Sequence, residues 1–187
     1  MVYFSKELIK KTFTTMFIGY FINLIFKKTS SIGSIYKNTI TLNGFSKSFA
    51  MSGFRVGYLA GPEEIINAIK KIAPYTYFSN SSIAQYAALK ALETDNSTII
   101  KEHKKRHDLA IRLLSPKFEI RGGDGAFYLF LRAPDGDGNK FVESAAKKNL
   151  LLLPGSLFSH KNTHFRLSYA TSIENIKKGV EILISLL

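Results

Sequence analysis

The sequence predicts an α/β fold in two pieces, and three observations carry that expectation. Short β-rich runs alternate with helical periods along the chain. A length of 187 residues, 45% hydrophobic and 21% charged, is that of a globular protein with an ordinary core rather than a disordered chain. The composition turns polar for a few residues near Thr94 to Ser97, which places a soft boundary there. A sheet-containing piece is expected over residues 1–95 and a smaller α+β piece over residues 96–187.

Taken in order, the apolar run Thr12 to Phe26, "TFTTMFIGYFINLIF", comes first. At 15 residues it falls short of the roughly 20 that span a bilayer, and no small-residue cleavage site follows it. Its aromatic and β-branched content predicts a buried strand or mixed core segment. "TITLN" (Thr39 to Asn43) reads as a strand and "RVGYLAG" (Arg55 to Gly61) as a second, with a turn and a helical stub between them. A helix runs from Pro62 through "PEEIINAIKKI", with acids in its first turn and lysines in its last, as the helix dipole favours. After "YTYFSNSS" a helix carries "IAQYAALKAL", whose small residues suit close packing.

The second piece opens on a long charged helix, "STIIKEHKKRHDLAIRLL". Strands are expected near Phe118 to Arg121, at "AFYLFL", at "LLLLP" and at "HFRLSYA", with a helix around Lys140 to Lys148. A last helix starts at "TSIE", where Thr171 and Glu174 have capping-box spacing.

Composition excludes several classes of chemistry. With no cysteine there is no disulfide, thiolate metal site or cysteine nucleophile, and the redox compartment stays open. The net charge of +12 comes from 20 lysines and 6 arginines against 14 acids. The lysines are scattered as pairs on expected polar helix faces, which reads as a solvated surface; neither nucleic acid nor a membrane is an expected partner. His103 and His107 have the i, i+4 spacing of a metal pair but stand among Lys104, Lys105 and Arg106, so a solvated helix face is expected and no metal. His160 and His164 lie in the loop and strand before Arg166, and loop polarity explains them. "GGDG" (Gly122 to Gly125) and "PDGDGNK" read as turns, the latter lacking a late bidentate glutamate for calcium.

The stretch with chemical content is "NGFSKSFAMSGFRVGY", residues 43 to 58, which holds two cations and no acid. Lys47 follows the carboxyl end of a predicted strand, where open α/β sheets present ligand-binding groups. Phe45, Phe49, Met51 and Phe54 are expected to surround its amine with apolar surface, which favours the neutral form that attacks a carbonyl. Ser46 and Ser48 flank it with hydroxyls, and Arg55 offers the planar fork suited to a phosphate. A ligand that is both anionic and carbonyl-bearing satisfies the set, and pyridoxal 5′-phosphate fits that description.

"TLNGFSKSFAMSGFRVGYLAGP" resembles the cofactor-attachment signature of class I/II pyridoxal-phosphate-dependent aminotransferases, of the aspartate aminotransferase type and fold type I. The match is a strand, S-K-S, an arginine eight places after the lysine, then G-Y. "YFSNSSIAQYAALKALE", "GGDGAFYLFLRAP" and "LLLPGSLFSHKNTHFRLSYATSIENIKKGVEIL" are similar to later blocks of the same family. The resemblance implies that Lys47 holds the cofactor and acts as the proton-moving base, that Ser46 and Arg55 contact its phosphate, and that Arg166 grips the α-carboxylate of the substrate. Alternation along "HFRLSY" sets Arg166 on the strand face opposite Phe165, Leu167 and Tyr169. An amino acid and a 2-oxo acid are then the substrates, in a cytoplasmic enzyme.

The resemblance covers about Ser31 to the C-terminus and corresponds to the C-terminal half of the family, that is, part of the large cofactor-binding domain followed by the small domain. The first 30 residues diverge: aligned on "LIF", the aspartate that pairs with the pyridine nitrogen falls at Ile18 and the tyrosine at Phe21, and no acid occurs between Glu7 and Glu63. Weak or absent activity of this chain alone is therefore expected, with a homodimer or a complementing N-terminal half covering an otherwise open sheet. The alternatives are a non-catalytic fragment that retains only the fold remnant and, on charge alone, a basic binding protein.

Overall fold

The structure, a computed structural model, describes residues 32–76, 78–121 and 125–187. The apolar run from Thr12 to Phe26, including Ile18 and Phe21, and residues 122–124 of the "GGDG" stretch lie outside the described residues. The chain divides into two compact units between Asn96 and Ser97.

In the first unit, strands β1 (Thr41–Gly44) and β2 (Gly57–Ala60) pair antiparallel, Thr41 opposite Ala60 and Gly44 opposite Gly57. The pairing is close because Gly57 has no Cβ: one built there would stand 2.6 Å from the Asn43 carbonyl oxygen. A single turn of helix, α1 (Phe45–Ser48), starts where β1 ends. The chain then folds back, with the Phe45 amide donating to the Val56 carbonyl at 3.2 Å and the Met51 amide to the Phe45 carbonyl at 3.3 Å. Phe45, Met51 and Val56 thereby meet Ala84 and Ala88 in one buried cluster. The two alanines are one turn apart on α3 (Ser82–Leu92), so a single stripe of small side chains admits the Phe45 ring.

Helix α2 (Glu63–Thr76) begins on its two acids as expected but continues past Ile72 through Pro74. Pro74 sits in the last turn, where it withholds the amide that would donate to the Lys70 carbonyl, and the helix ends two residues later. Leu42, Ile72, Tyr75, Phe78, Ile83 and Tyr86 are exposed apolar side chains of this unit.

The second unit is an antiparallel sheet of order β3-β4-β6-β5, formed by β3 (Ile120–Arg121), β4 (Tyr128–Arg132), β5 (Leu153–Pro154) and β6 (His164–Ser168). Three helices accompany it: α4 (Ser97–Leu114), α5 (Gly138–Lys147) and α6 (Ile173–Ile184). Along β6 the apolar Phe165 and Leu167 are buried while His164, Arg166 and Ser168 take the other face. Phe141 of α5 stacks on Phe165 at 4.7 Å, and Phe118 meets both rings edge-on, so the helices cover the Phe165 face. Tyr169 is fully buried and its hydroxyl donates to the Ala126 carbonyl; burial first, then the Asp108 charge, pushes the phenol far above its ordinary range.

Two sequence expectations are corrected here. His103 and His107 do not lie on a solvated face: His107 is buried, edge-on to Tyr169 at 5.6 Å, with Nδ1 3.0 Å from an Asp108 carboxylate oxygen. His103 is half-buried, and desolvation, helped by Arg106, pushes it below the ordinary histidine value. The charged neighbours that suggested exposure occupy the other faces of α4. The last helix is capped by Ser172, whose hydroxyl accepts from the Asn175 amide at 3.2 Å, rather than by Thr171; Thr171 accepts from the Asn175 side chain instead.

Ser172→Ala should therefore lower stability by about 1 kcal/mol, as loss of a serine cap does, whereas Thr171→Ala should cost much less. Thermal melts of the two variants beside the parent chain check the order.

Candidate functional site

Lys47 lies on α1, three residues past the end of β1, and its side chain is exposed; Ser46 beside it is half-buried and Ser48 is buried. The aromatic and apolar residues expected around the amine turn away from it. Phe45 and Met51 go into the core, Phe49 packs on Phe45 at 5.3 Å, and Phe54 is exposed. Helical spacing explains the difference, because residues two apart on one turn face opposite ways, so the contact that buries Phe45 turns Lys47 outward.

Arg55 ends a 3-10 turn, Ser52–Phe54, in the left-handed conformation with φ 51°, and its Nη1 donates to the Ser52 carbonyl at 3.0 Å. Ala50, five residues earlier, is also left-handed at φ 55°. Two such non-glycine residues in one short connection are uncommon, and backbone of this kind persists where surrounding contacts hold it, often at functional sites. Among the described residues no carboxylate forms an ion pair with Arg55 or with Arg166. Ser46, Lys47 and Arg55 thus all belong to the connection from β1 to β2 in the first unit.

Arg166 belongs to the second unit, at the centre of β6, half-buried and opposite Phe130 of β4 and Leu153 of β5. Its Cζ lies over the Tyr128 ring at 4.9 Å and over the Phe158 ring at 4.6 Å. Arg132, at the end of β4, has an acid instead, Glu119 at 3.5 Å. Arg166 is therefore a guanidinium held by aromatic faces with its hydrogen-bonding edge uncommitted to a carboxylate.

Three residues that sequence reading passed over complete this face. Tyr128 and Phe130 alternate on β4, a signal present in "FYLFLR". Phe158 follows the 3-10 turn Gly155–Leu157, where no periodicity points to it. His164, the first residue of β6, stacks flat on Phe130 at 5.4 Å and 9°, with Nδ1 2.8 Å from the Thr163 hydroxyl.

The turn that bears Phe158 is fixed from two sides. A Cβ on Gly155 would stand 2.6 Å from the His164 carbonyl oxygen, so only glycine lets the turn settle on β6. Ser156 donates to the Asn139 side chain at 2.8 Å at the start of α5. There Asp137 caps the helix, accepting from the amides of Asn139 and Lys140 at 3.1 Å each, and takes a third bond from the Asn162 side chain at 2.8 Å. The Lys140 amide, then the Asn162 amide group, the Lys140 charge and the Asn139 amide, outweigh desolvation and hold this carboxyl below its ordinary 3.8.

Gly155→Ala should destabilise the second unit by about 1–3 kcal/mol through overpacking against backbone, read as a lowered thermal midpoint. Asp137→Ala should also lower the midpoint near neutral pH. Because the folded-state pKa is depressed, that contribution is complete above the unfolded value near 3.8 and is lost as pH falls through the lower folded value. The gap between parent and variant melts should then close in acid, and a gap that stays constant with pH would count against the cap.

The profile of aminotransferase class I and II matches residues 19–183. The chain is 41% identical over 148 residues to aspartate aminotransferase of Thermotoga maritima, covering 78% of this chain and 39% of that one. It is 39% identical over 152 residues to (5-formylfuran-3-yl)methyl phosphate transaminase of Methanocaldococcus jannaschii, covering 78% and 41%. The crystal structure of the Thermotoga maritima aspartate aminotransferase superposes with a TM-score of 0.82 at 33% identity, over 98% of this chain and 52% of that one. The chain thus spans about two-fifths to half of the length of these relatives, and the fold is the expected α/β portion of fold type I. With that profile matching most of its length, the chain belongs to the class I and II aminotransferase family.

Proposed function

We propose that this chain carries the cofactor-attachment and carboxylate-binding parts of an aminotransferase that uses pyridoxal 5′-phosphate to move an amino group between an amino acid and a 2-oxo acid. The observation that carries the reading is the single connection from β1 to β2, which brings together the exposed Lys47 amine, the Ser46 hydroxyl and the exposed Arg55 guanidinium. That donor set fits a phosphate monoester joined to an aldehyde, and the family match supports it.

In this reading the Ser46 hydroxyl and the fork of Arg55 donate to the phosphate, charge-assisted bonds that also fix orientation. Lys47 would hold the cofactor at its aldehyde and, as a free amine, would hold and move the proton of the substrate α-carbon. When bound, the cofactor supplies the electron sink that stabilises the deprotonated α-carbon. Arg166 donates its N–H edge to the substrate α-carboxylate. Residues up to Asn96 then serve as part of the cofactor-binding domain and the remainder as the small domain. A cytoplasmic location and assembly as a homodimer, or with an N-terminal half, belong to the same proposal. No described helix is long and apolar enough to cross a membrane.

A second reading, a family member without catalysis, is favoured by one specific feature: no acid lies between Glu7 and Glu63 to pair with the pyridine nitrogen. The two are separated by incubating the purified chain with pyridoxal phosphate, reducing with borohydride and mapping the label. Stable labelling of Lys47 that vanishes in Lys47→Ala, with retention weakened roughly tenfold in Arg55→Ala, is expected. Absence of label on Lys47 would establish the non-catalytic reading.

A further inference from the structure

We propose that Phe158 and Tyr128 are positioning residues that clamp Arg166 so that its planar N–H edge faces a carboxylate ligand. The proposal rests on the reading of Arg166 as the carboxylate-binding group and goes beyond it by naming what holds that group. Arg166 Cζ sits 4.6 Å from the Phe158 ring centroid and 4.9 Å from that of Tyr128, and no described acid pairs with it. An acidic neighbour would orient the guanidinium too, but would occupy the same N–H groups a substrate needs. Rings bind through the flat faces and leave the edge open, which suits a bidentate, in-plane carboxylate.

The clamp has its own support. Phe158 meets Phe130 edge-on at 6.3 Å, Phe130 lies flat on His164, and Tyr128 meets Phe127 edge-on at 5.5 Å. The Phe158 amide donates to the Gly155 carbonyl at 2.9 Å, so the ring leaves a closed turn whose glycine is pressed on the His164 carbonyl. Phe158 is 51% exposed. At that exposure its ring adds little to the core, so the position of the ring over Arg166 is better explained by Arg166 than by packing.

The test uses the whole 187-residue chain. Nitrogen-15 relaxation of the Arg166 Nε–Hε group reads its mobility directly, and titration with succinate followed at the same resonance reads carboxylate binding. The parent and Phe158→Tyr should show an ordered group. Phe158→Leu, which keeps apolar volume without a ring, and Tyr128→Leu should show a mobile one and bind succinate roughly tenfold more weakly, with thermal midpoints close to the parent. If Phe158→Leu and Tyr128→Leu leave the group as ordered and succinate binding as tight as in the parent, the clamp is refuted. If the parent shows no saturable succinate shift, or if Arg166→Ala and the parent titrate alike when followed on backbone amides, the reading of Arg166 itself fails, while relaxation still decides the clamp.

Discussion

Strand β6 must bury one face and display the other, and most of the second unit follows from that constraint. Phe165 and Leu167 anchor it under α5 and the Phe118 ring, and the same alternation delivers Arg166 to the opposite face. A slip of one residue would push a guanidinium into the core and the aromatic rings into water, so the packing of Phe165 fixes the register of Arg166. The hydrophobic core and the face that displays Arg166 are in this sense one decision, taken along five residues.

Around that strand the chain makes close backbone approaches that only small residues allow. Gly138 at the start of α5 and Gly155 at the turn before Phe158 both press on the His164 carbonyl. Asp137 and Asn162 then tie the helix start to the loop preceding β6, and Ser156 ties the turn to Asn139. The result is a cross-tied rim on which an aromatic side chain of an irregular segment comes to lie over a charged side chain of a regular one. Where a guanidinium is ordered in this way before a ligand arrives, the ordering cost of binding is lower.

The first unit solves a different problem. Between β1 and β2 only twelve residues, Phe45 to Val56, must reverse the chain while presenting a lysine and an arginine. They do so by burying Phe45, Met51 and Val56 against the alanine stripe of α3, which leaves Ser46 half-buried and Lys47 and Arg55 exposed. Two left-handed residues close the path. The exposed position of Lys47 differs from the apolar pocket that its neighbours in sequence suggest, since those neighbours are committed to the core.

Much of this was legible without coordinates. Helix α4 coincides with the run "STIIKEHKKRHDLAIRLL", because charged and apolar residues repeat there with helical period and a serine opens it. The alternation of β6 and the family signature around Lys47 were equally local. Boundaries of β3 and β5 were not, since two-residue strands depend on the partner strand and not on their own pattern.

The sequence by itself carried the family resemblance and the α/β composition, and offered Ser46, Lys47, Arg55 and Arg166 as candidates, because motifs are written in residue types at short spacing. Tertiary structure alone decided that His107 is buried under Tyr169, that Ser172 rather than Thr171 caps the last helix, and that Phe158 and Tyr128 hold Arg166. Those outcomes depend on which surfaces meet after the chain has folded. A ring over a guanidinium from a strand eight residues away in sequence leaves no periodic trace, since contact between elements is set by packing and not by order along the chain.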